Sequence, residues 1–88
     1  MKVEFKKSFL KSLEGLRDKQ LKSSILKIIT QVESIERIQS IASLKKLAGF
    51  SDFYRIRLGD YRIGLKIVNK TVIFVTFDHR KDIYKNFP

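Results

Sequence analysis

Residues 53–68, FYRIRLGDYRIGLKIV, consist of two stretches rich in β-branched, aromatic and basic residues, separated by Gly59 and Asp60. Both stretches have the composition of β-strands. Glycine tolerates the positive φ that a two-residue hairpin turn requires, so the sequence predicts a β-hairpin with Gly59 and Asp60 as its loop. In the register that follows, Leu58 lies opposite Tyr61, and the other residues pair outward from the turn.

The predicted hairpin has one apolar and one basic face, because successive residues of a strand point to opposite sides of the sheet. The apolar face, which we expect to contact the core, consists of Tyr54, Ile56, Leu58, Tyr61, Ile63 and Leu65. The opposite face, here called the arginine face, carries Arg55, Arg57 and Arg62 beside Gly64, whose backbone we expect to be uncovered. Arg57 is predicted to lie directly opposite Arg62.

The residues before the hairpin predict a short strand and two amphipathic helices. Residues 1–5 alternate between apolar and charged side chains, and from about Lys6 the apolar spacing becomes helical. Asp18 can cap a second helix, since its carboxylate can accept a hydrogen bond from a free N–H of the first turn. The apolar stripe of that helix consists of Leu21, Ile25, Ile28, Ile29, Val32 and Ile35. Helices joined so tightly form an antiparallel hairpin, whose apolar faces we expect to cover the sheet.

A last strand over residues 71–78 is predicted after a turn at residues 69–70. Simple alternation gives it two apolar sides, with Val72 and Phe74 on one and Ile73, Val75 and Phe77 on the other. A strand that is apolar on both sides belongs in the interior of a sheet, and we expect it beside the first strand.

The segment from Ser40 to Gly49 is ambiguous, and its apolar residues leave open a last helical turn formed by Ile41, Leu44 and Leu47. The element order is therefore β-α-α-β-β-β. It predicts a single α+β domain over residues 1–88, in which an antiparallel-rich twisted sheet carries a helical hairpin packed on one face.

The formal net charge of +10 is the dominant bulk property and favours a polyanionic partner, above all nucleic acid. A lysine-rich solvated exterior is the other interpretation. The chain has no cysteine, which excludes disulfides and thiolate metal sites and favours a reducing compartment. No apolar run approaches the roughly 18 residues of a membrane span. We therefore expect a soluble, cytoplasmic protein with no membrane partner.

The arginine face has the chemistry of an anion site. Like charges directly opposite on antiparallel strands are destabilising, so folding alone does not favour Arg57 opposite Arg62. A phosphate between them reverses the sign of the interaction, because each guanidinium presents paired donors. Alternating arginines can also form the solvent-exposed face of a sheet whose other face is buried. That face usually mixes lysine, glutamate and threonine, whereas here no acid lies among the arginines and the nearest carboxylate is Asp60 at the turn.

Two stretches, KKLAGFSDFYRIRLGDYRIGLKI and VIFVTFDHRKDIY, resemble the RelE branch of the RelE/ParE toxin superfamily. The resemblance covers basic residues at alternate positions before the hairpin, the G-D-Y-R turn, and a late His-Arg followed by tyrosine four residues after the arginine. It implies the toxin of a type II toxin-antitoxin system, which enters the ribosomal A site and cuts messenger RNA. It also implies an antitoxin that wraps the toxin in a hetero-oligomer and holds it inactive.

The resemblance also implies a set of site residues and a reaction. The family's basic positions fall on Arg55, Arg57, Arg62 and Arg80, and its tyrosine falls on Tyr84. The resemblance implies that these residues surround the scissile phosphate while the neighbouring 2′-hydroxyl attacks it, a route that needs no metal or other cofactor. Arg57 and Arg62 would stabilise the phosphorane, Arg80 would stabilise or protonate the leaving 5′-oxygen, and Tyr84 would stack on a base.

The proton acceptor is the open question. The best-known RelE enzymes carry lysines on this strand, whereas Arg55 and Arg57 do not readily give up a proton. His79 is the candidate base, because histidine exchanges protons most readily near neutral pH, although it could instead position the RNA or be an ordinary surface residue. Tyr84 could also be a core residue of a packed tail. Five lysines are candidate RNA contacts or merely solubilising, namely Lys45, Lys46, Lys66, Lys81 and Lys85.

Three functions remain open at this point. The first is the ribosome-dependent endoribonuclease, with ribosome, messenger RNA and an acidic cognate antitoxin as partners. The second is a ParE-like inhibitor of DNA gyrase, which shares the fold but does not need the arginine and tyrosine set. The third is a noncatalytic binding module or a toxin whose active site has decayed.

Overall fold

Five strands form one mixed sheet in the computed structural model, which describes all 88 residues. The strands are β1 (Lys2–Phe5), β2 (Leu44–Lys46), β3 (Phe53–Leu58), β4 (Tyr61–Val68) and β5 (Thr71–His79). The helices are α1 (Lys7–Glu14), α2 (Lys19–Ser34) and α3 (Ile83–Asn86), with a single 3-10 turn at Ile38–Ser40. The sheet order is β1-β5-β4-β3-β2, with β1 parallel to β5 and every other pair antiparallel. The predicted α+β class is confirmed, as is the position of the last strand beside the first.

The register of the central hairpin is as predicted. Leu58 pairs with Tyr61, Arg57 with Arg62, and Arg55 with Gly64. Gly59 has a φ of +56°, the conformation that the two-residue loop requires. The arginine face therefore exists as a continuous surface of the sheet.

Helices α1 and α2 cover the other face of the sheet, as expected. The Asp18 side chain accepts a hydrogen bond of 3.0 Å from the N–H of Leu21, which confirms the cap of α2. The core between helices and sheet consists of Phe9, Ile25, Ile29, Val32, Ile56, Ile63, Leu65, Val72, Phe74 and Phe77. None of the helices combines the length and the apolar character needed to cross a bilayer.

The ambiguous segment contains a strand where a last helical turn was one possibility. Leu44–Lys46 forms β2, the edge strand of the sheet, and pairs antiparallel with β3 so that Lys45 lies opposite Arg55. A helical turn there would leave the backbone groups along the edge of β3 without partners. The strand also places the Leu44 side chain against the core.

A β-bulge in β5 changes which side chains face the core. Gly64 pairs with Thr76 but Leu65 pairs with Phe74, so Val75 is an extra residue without a partner. The prediction that Phe77 shares a side with Ile73 and Val75 is wrong, because the bulge returns Phe77 to the core side.

The C-terminal tail packs on the arginine face. The Phe87 ring is buried against Gly64, where a Cβ atom would lie 2.8 Å from the ring, and it meets the Phe53 ring edge-on at 5.6 Å. The expectation that Gly64 leaves uncovered backbone is therefore wrong. Glycine is required here so that an aromatic ring can approach the strand.

We predict that Gly64→Ala destabilises the protein by about 1–3 kcal/mol through overpacking against Phe87. In a Phe87→Ala background the same change should cost much less, because the ring it meets is gone. Urea unfolding of the four proteins measures this coupling.

Gly15→Ala is the matched control, since a Cβ there would meet only the Lys11 carbonyl at an ordinary 3.5 Å. An equal cost of Gly64→Ala in both backgrounds would contradict the proposed contact.

Candidate active site

Three arginines of the central hairpin occupy one side of the sheet. Arg57 and Arg62 are direct cross-strand partners, and Arg55 lies two residues further from the turn, between Lys45 and Gly64. Two steps along a strand are about 7 Å, so these cations form a compact group.

Two of the three guanidinium groups are fixed by backbone carbonyls. The Arg62 side chain donates to the carbonyls of Gly59 at 2.7 Å and Tyr61 at 2.9 Å, and the Arg55 side chain donates to the carbonyl of Ser43 at 3.2 Å. Arg57 is exposed and its side chain has no protein partner. The face thus combines prepositioned donors with one free guanidinium, which suits an incoming anion.

The structure places Arg80 at the turn of the hairpin. Its N–H donates to the Asp60 carbonyl at 2.8 Å, and its Nε lies 4.0 Å from an Asp60 carboxylate oxygen in an exposed pair. Such an exposed pair holds the side chain only weakly, so Arg80 can exchange Asp60 for a phosphate.

His79 does not join the arginine face. It pairs with Tyr61 across β4 and β5, their rings 5.6 Å apart, and Tyr61 belongs to the helix-covered side of the sheet. Its Nδ1 accepts a hydrogen bond of 3.2 Å from the N–H of Lys81. His79, the candidate base of the sequence analysis, therefore lies on the opposite side of the sheet from the arginines.

Asp78 lies on the arginine face, where sequence reasoning found no acid. The bulge at Val75 puts it directly opposite Arg62. One carboxylate oxygen accepts a hydrogen bond of 2.8 Å from the N–H of His79, and the side chain forms no ion pair. The prediction that Asp60 is the nearest carboxylate is wrong, because the sequence pattern does not reveal where the bulge falls.

Tyr84 lies beside Arg55 rather than in the core. Its side chain is 54% exposed, and together with Lys45, Lys46 and Arg55 it lines a concavity of about 690 Å³. The neighbouring Ile83 and Phe87 anchor the tail instead.

The other predicted lysine contacts are dispersed. The Lys66 ammonium lies 5.7 Å from the centre of the Phe53 ring, and Lys81 is exposed next to Arg80. Lys85 donates to Asp82 at 3.0 Å, and this hydrogen bond and the charge of Lys85 lower the pKa of the Asp82 carboxyl. Lys85 is therefore already paired with Asp82, the residue that precedes α3.

The sequence matches a known protein family over almost its whole length. A family model described as the ParE toxin of the type II toxin-antitoxin system parDE matches residues 3–84. Toxin RelE3 of Methanocaldococcus jannaschii is 37% identical over 89 residues, covering 100% of both chains.

Several solved structures of similar fold are toxins in complex with antitoxins. The RelB-RelE antitoxin-toxin complex from Methanococcus jannaschii contains a chain with a TM-score of 0.81 and 34% identity, covering 97% of this chain and 99% of that one. The archaeal RelE-RelB complex from Pyrococcus horikoshii OT3 gives a TM-score of 0.72 and 26% identity, with 90% and 93% covered. The intact E. coli RelBE complex, at 22% identity and a TM-score of 0.69, shares the fold, with 89% and 94% covered.

We predict that Arg57→Gln stabilises the free protein by about 0.2–1 kcal/mol, because it removes a like-charge contact with Arg62. Urea unfolding at low salt measures the gain, which should shrink at high salt as the charges are screened.

Lys27→Gln, which removes an exposed cation from α2, controls for the change in net charge. An equal effect of both substitutions would mean that the pairing of Arg57 with Arg62 carries no specific repulsion.

Proposed function

This chain belongs to the RelE/ParE toxins of type II toxin-antitoxin systems, and we propose that it is a ribosome-dependent endoribonuclease that cuts messenger RNA. The observation that carries the proposal is the group of guanidiniums on one face of the β3–β4 hairpin, with Arg57 unpartnered and Arg80 at the adjacent turn. Such a group matches a phosphodiester that gains negative charge during cleavage.

The proposed reaction is attack by the 2′-hydroxyl on the neighbouring phosphorus. The 2′-hydroxyl gives up its proton as the O2′–P bond forms, and the P–O5′ bond breaks. The departing 5′-oxygen takes a proton from water, which leaves a cyclic phosphate on one fragment and a 5′-hydroxyl on the other. Arg57 and Arg62 stabilise the added charge on the phosphorane, and Arg80 stabilises the departing 5′-oxygen. The guanidiniums supply this positive charge themselves, so we propose that the reaction does not require a metal.

Asp78 is the best-placed group to receive the 2′-hydroxyl proton. A carboxylate can accept a proton whereas a guanidinium cannot, and Asp78 lies opposite Arg62 without an ion-pair partner. His79, on the other side of the sheet, would need to move to take this role. We assign the general base to Asp78 on these grounds.

The proposed partners are the ribosome, messenger RNA and a cognate acidic antitoxin. The solved RelB-RelE complexes from two archaea support an antitoxin for this chain, and the net charge of +10 favours an acidic one. The toxin-antitoxin hetero-oligomer would act in the cytoplasm, where translation takes place.

Inhibition of DNA gyrase is the second candidate, and the parDE description of the matching family model favours it. This activity would not need the arginines to surround a phosphodiester. A supercoiling assay with purified gyrase tests it directly, and inhibition that persists in the arginine variants below would favour this candidate.

We predict that Arg62→Ala and Arg80→Ala each lower messenger RNA cleavage by about 100- to 1,000-fold, the usual loss when one transition-state donor is removed. Translating ribosomes are incubated with each variant and the messenger ends are mapped. Circular dichroism should show that both variants remain folded.

Lys27→Ala is the matched control and should cut normally, because Lys27 lies on the exposed surface of α2. Undiminished cutting by both arginine variants would place the active site elsewhere.

We predict that Asp78→Asn lowers cleavage by about 100- to 10,000-fold, the range for loss of a general base. Asparagine keeps the shape and the acceptor oxygen but cannot take the proton. Single-turnover cleavage of messenger RNA on ribosomes measures the loss.

Undiminished cutting by Asp78→Asn would contradict the assignment, and a comparable loss of cutting in His79→Gln alone would transfer the role to the histidine.

A further inference from the structure

The loop between β2 and β3 presents an aromatic side chain to solvent. The N–H of Leu47 donates to the Phe53 carbonyl at 2.9 Å and the N–H of Phe50 donates to the Leu47 carbonyl at 3.3 Å. Gly49 has a φ of +83°, which closes the turn. These contacts fix the position of Phe50 although it lies in a loop.

The Phe50 ring is held on one side and free on the other. Its side chain is 46% exposed, and it meets the Phe53 ring edge-on at 6.1 Å. Phe53 in turn contacts Phe87, which is buried against Gly64. Phe50 is thus the outermost ring of an aromatic row that is anchored in the sheet, and its exposed surface is preorganised.

The space beside Phe50 is cationic. The concavity of about 690 Å³ is lined by this ring, by Tyr84, and by Lys45, Lys46 and Arg55, with no acidic residue in its wall. Arg55 is two residues from Arg57 along β3, so the concavity adjoins the arginine pair at about 7 Å along the strand.

We propose that this concavity is a nucleobase subsite for single-stranded RNA, in which Phe50 is the stacking platform and Lys45 and Arg55 hold the backbone phosphate. An exposed ring beside a positive groove is the usual means of holding an unpaired nucleotide. The identity of the ligand as RNA rests on the function proposed above. An apolar contact with a protein partner would use the ring but not the three surrounding cations.

The test uses Phe50→Trp in the full-length chain, which otherwise contains no tryptophan. The probe is a single-stranded 2′-O-methyl RNA oligonucleotide, which lacks the attacking hydroxyl and is not cut. Stacking should quench the tryptophan fluorescence, whereas an abasic oligonucleotide of equal length and charge should leave it unchanged. Leu26→Trp, on an α2 side chain that is 47% exposed, is the matched control and should respond to neither.

The loss of affinity measures the contribution of the ring. Phe50→Ala should weaken binding of the same oligonucleotide, followed by fluorescence anisotropy, by about 5- to 150-fold, and Phe50→Tyr should restore it. Circular dichroism checks that each variant is folded.

The outcomes separate this proposal from the proposed nuclease activity. Quenching in a protein that fails to cut messenger RNA would still support the base subsite. Cleavage by a protein whose Phe50→Trp signal stays silent would overturn it, as would equal quenching by the abasic chain. A Phe50→Trp signal that responds to the antitoxin but not to RNA would also overturn it in favour of a protein contact.

Discussion

The arginine face is defined by the cross-strand pairing of Arg57 with Arg62, two like charges that repel each other. The two-residue turn at Gly59-Asp60 fixes the register, and that register brings two guanidiniums together across antiparallel strands. Neither arginine can turn away from this face unless the register of the hairpin shifts by one residue. Such a shift would expose the apolar residues that alternate with the arginines and form the core. The buried face therefore imposes an electrostatic cost on the open face, which a phosphate bound between the two arginines would relieve.

The arginine face is divided between packing and binding. Toward the far end of the hairpin, Gly64 admits the Phe87 ring, and the tail closes that part of the surface. Toward the turn, Arg57 stays exposed and Arg62 is oriented by two carbonyls. The same tail brings Tyr84 beside Arg55. The packing of the C-terminal tail thus covers one part of the sheet, at Gly64, and also forms one edge of the candidate site, at Tyr84.

The parts of the fold that depend on local pattern could be predicted from the sequence, and those that depend on long-range contacts could not. The hairpin register and the Asp18 cap follow from turn chemistry and periodicity, and both are present. Strand β2 was missed because three residues carry too little pattern to separate an edge strand from a helical turn. The cover over Gly64 was missed because nothing local to that glycine indicates a ring from the end of the chain. At the candidate site, the sequence pattern pointed to the arginines but not to Asp78 or Phe50, because a bulge sets the position of Asp78 and a row of packed rings sets that of Phe50.

The extra residue in β5 has an evolutionary consequence. With Val75 accommodated as a bulge, Asp78 shares a side with Arg62 while His79 lies opposite Tyr61. If β5 kept all its residues but paired without the bulge, every residue after Phe74 would shift by one position, which would turn Asp78 toward the core side and His79 toward the arginine face. The presence or absence of one bulge thus decides whether a carboxylate or an imidazole shares the arginine face in a lineage built on this scaffold, without substitution of any residue of that face.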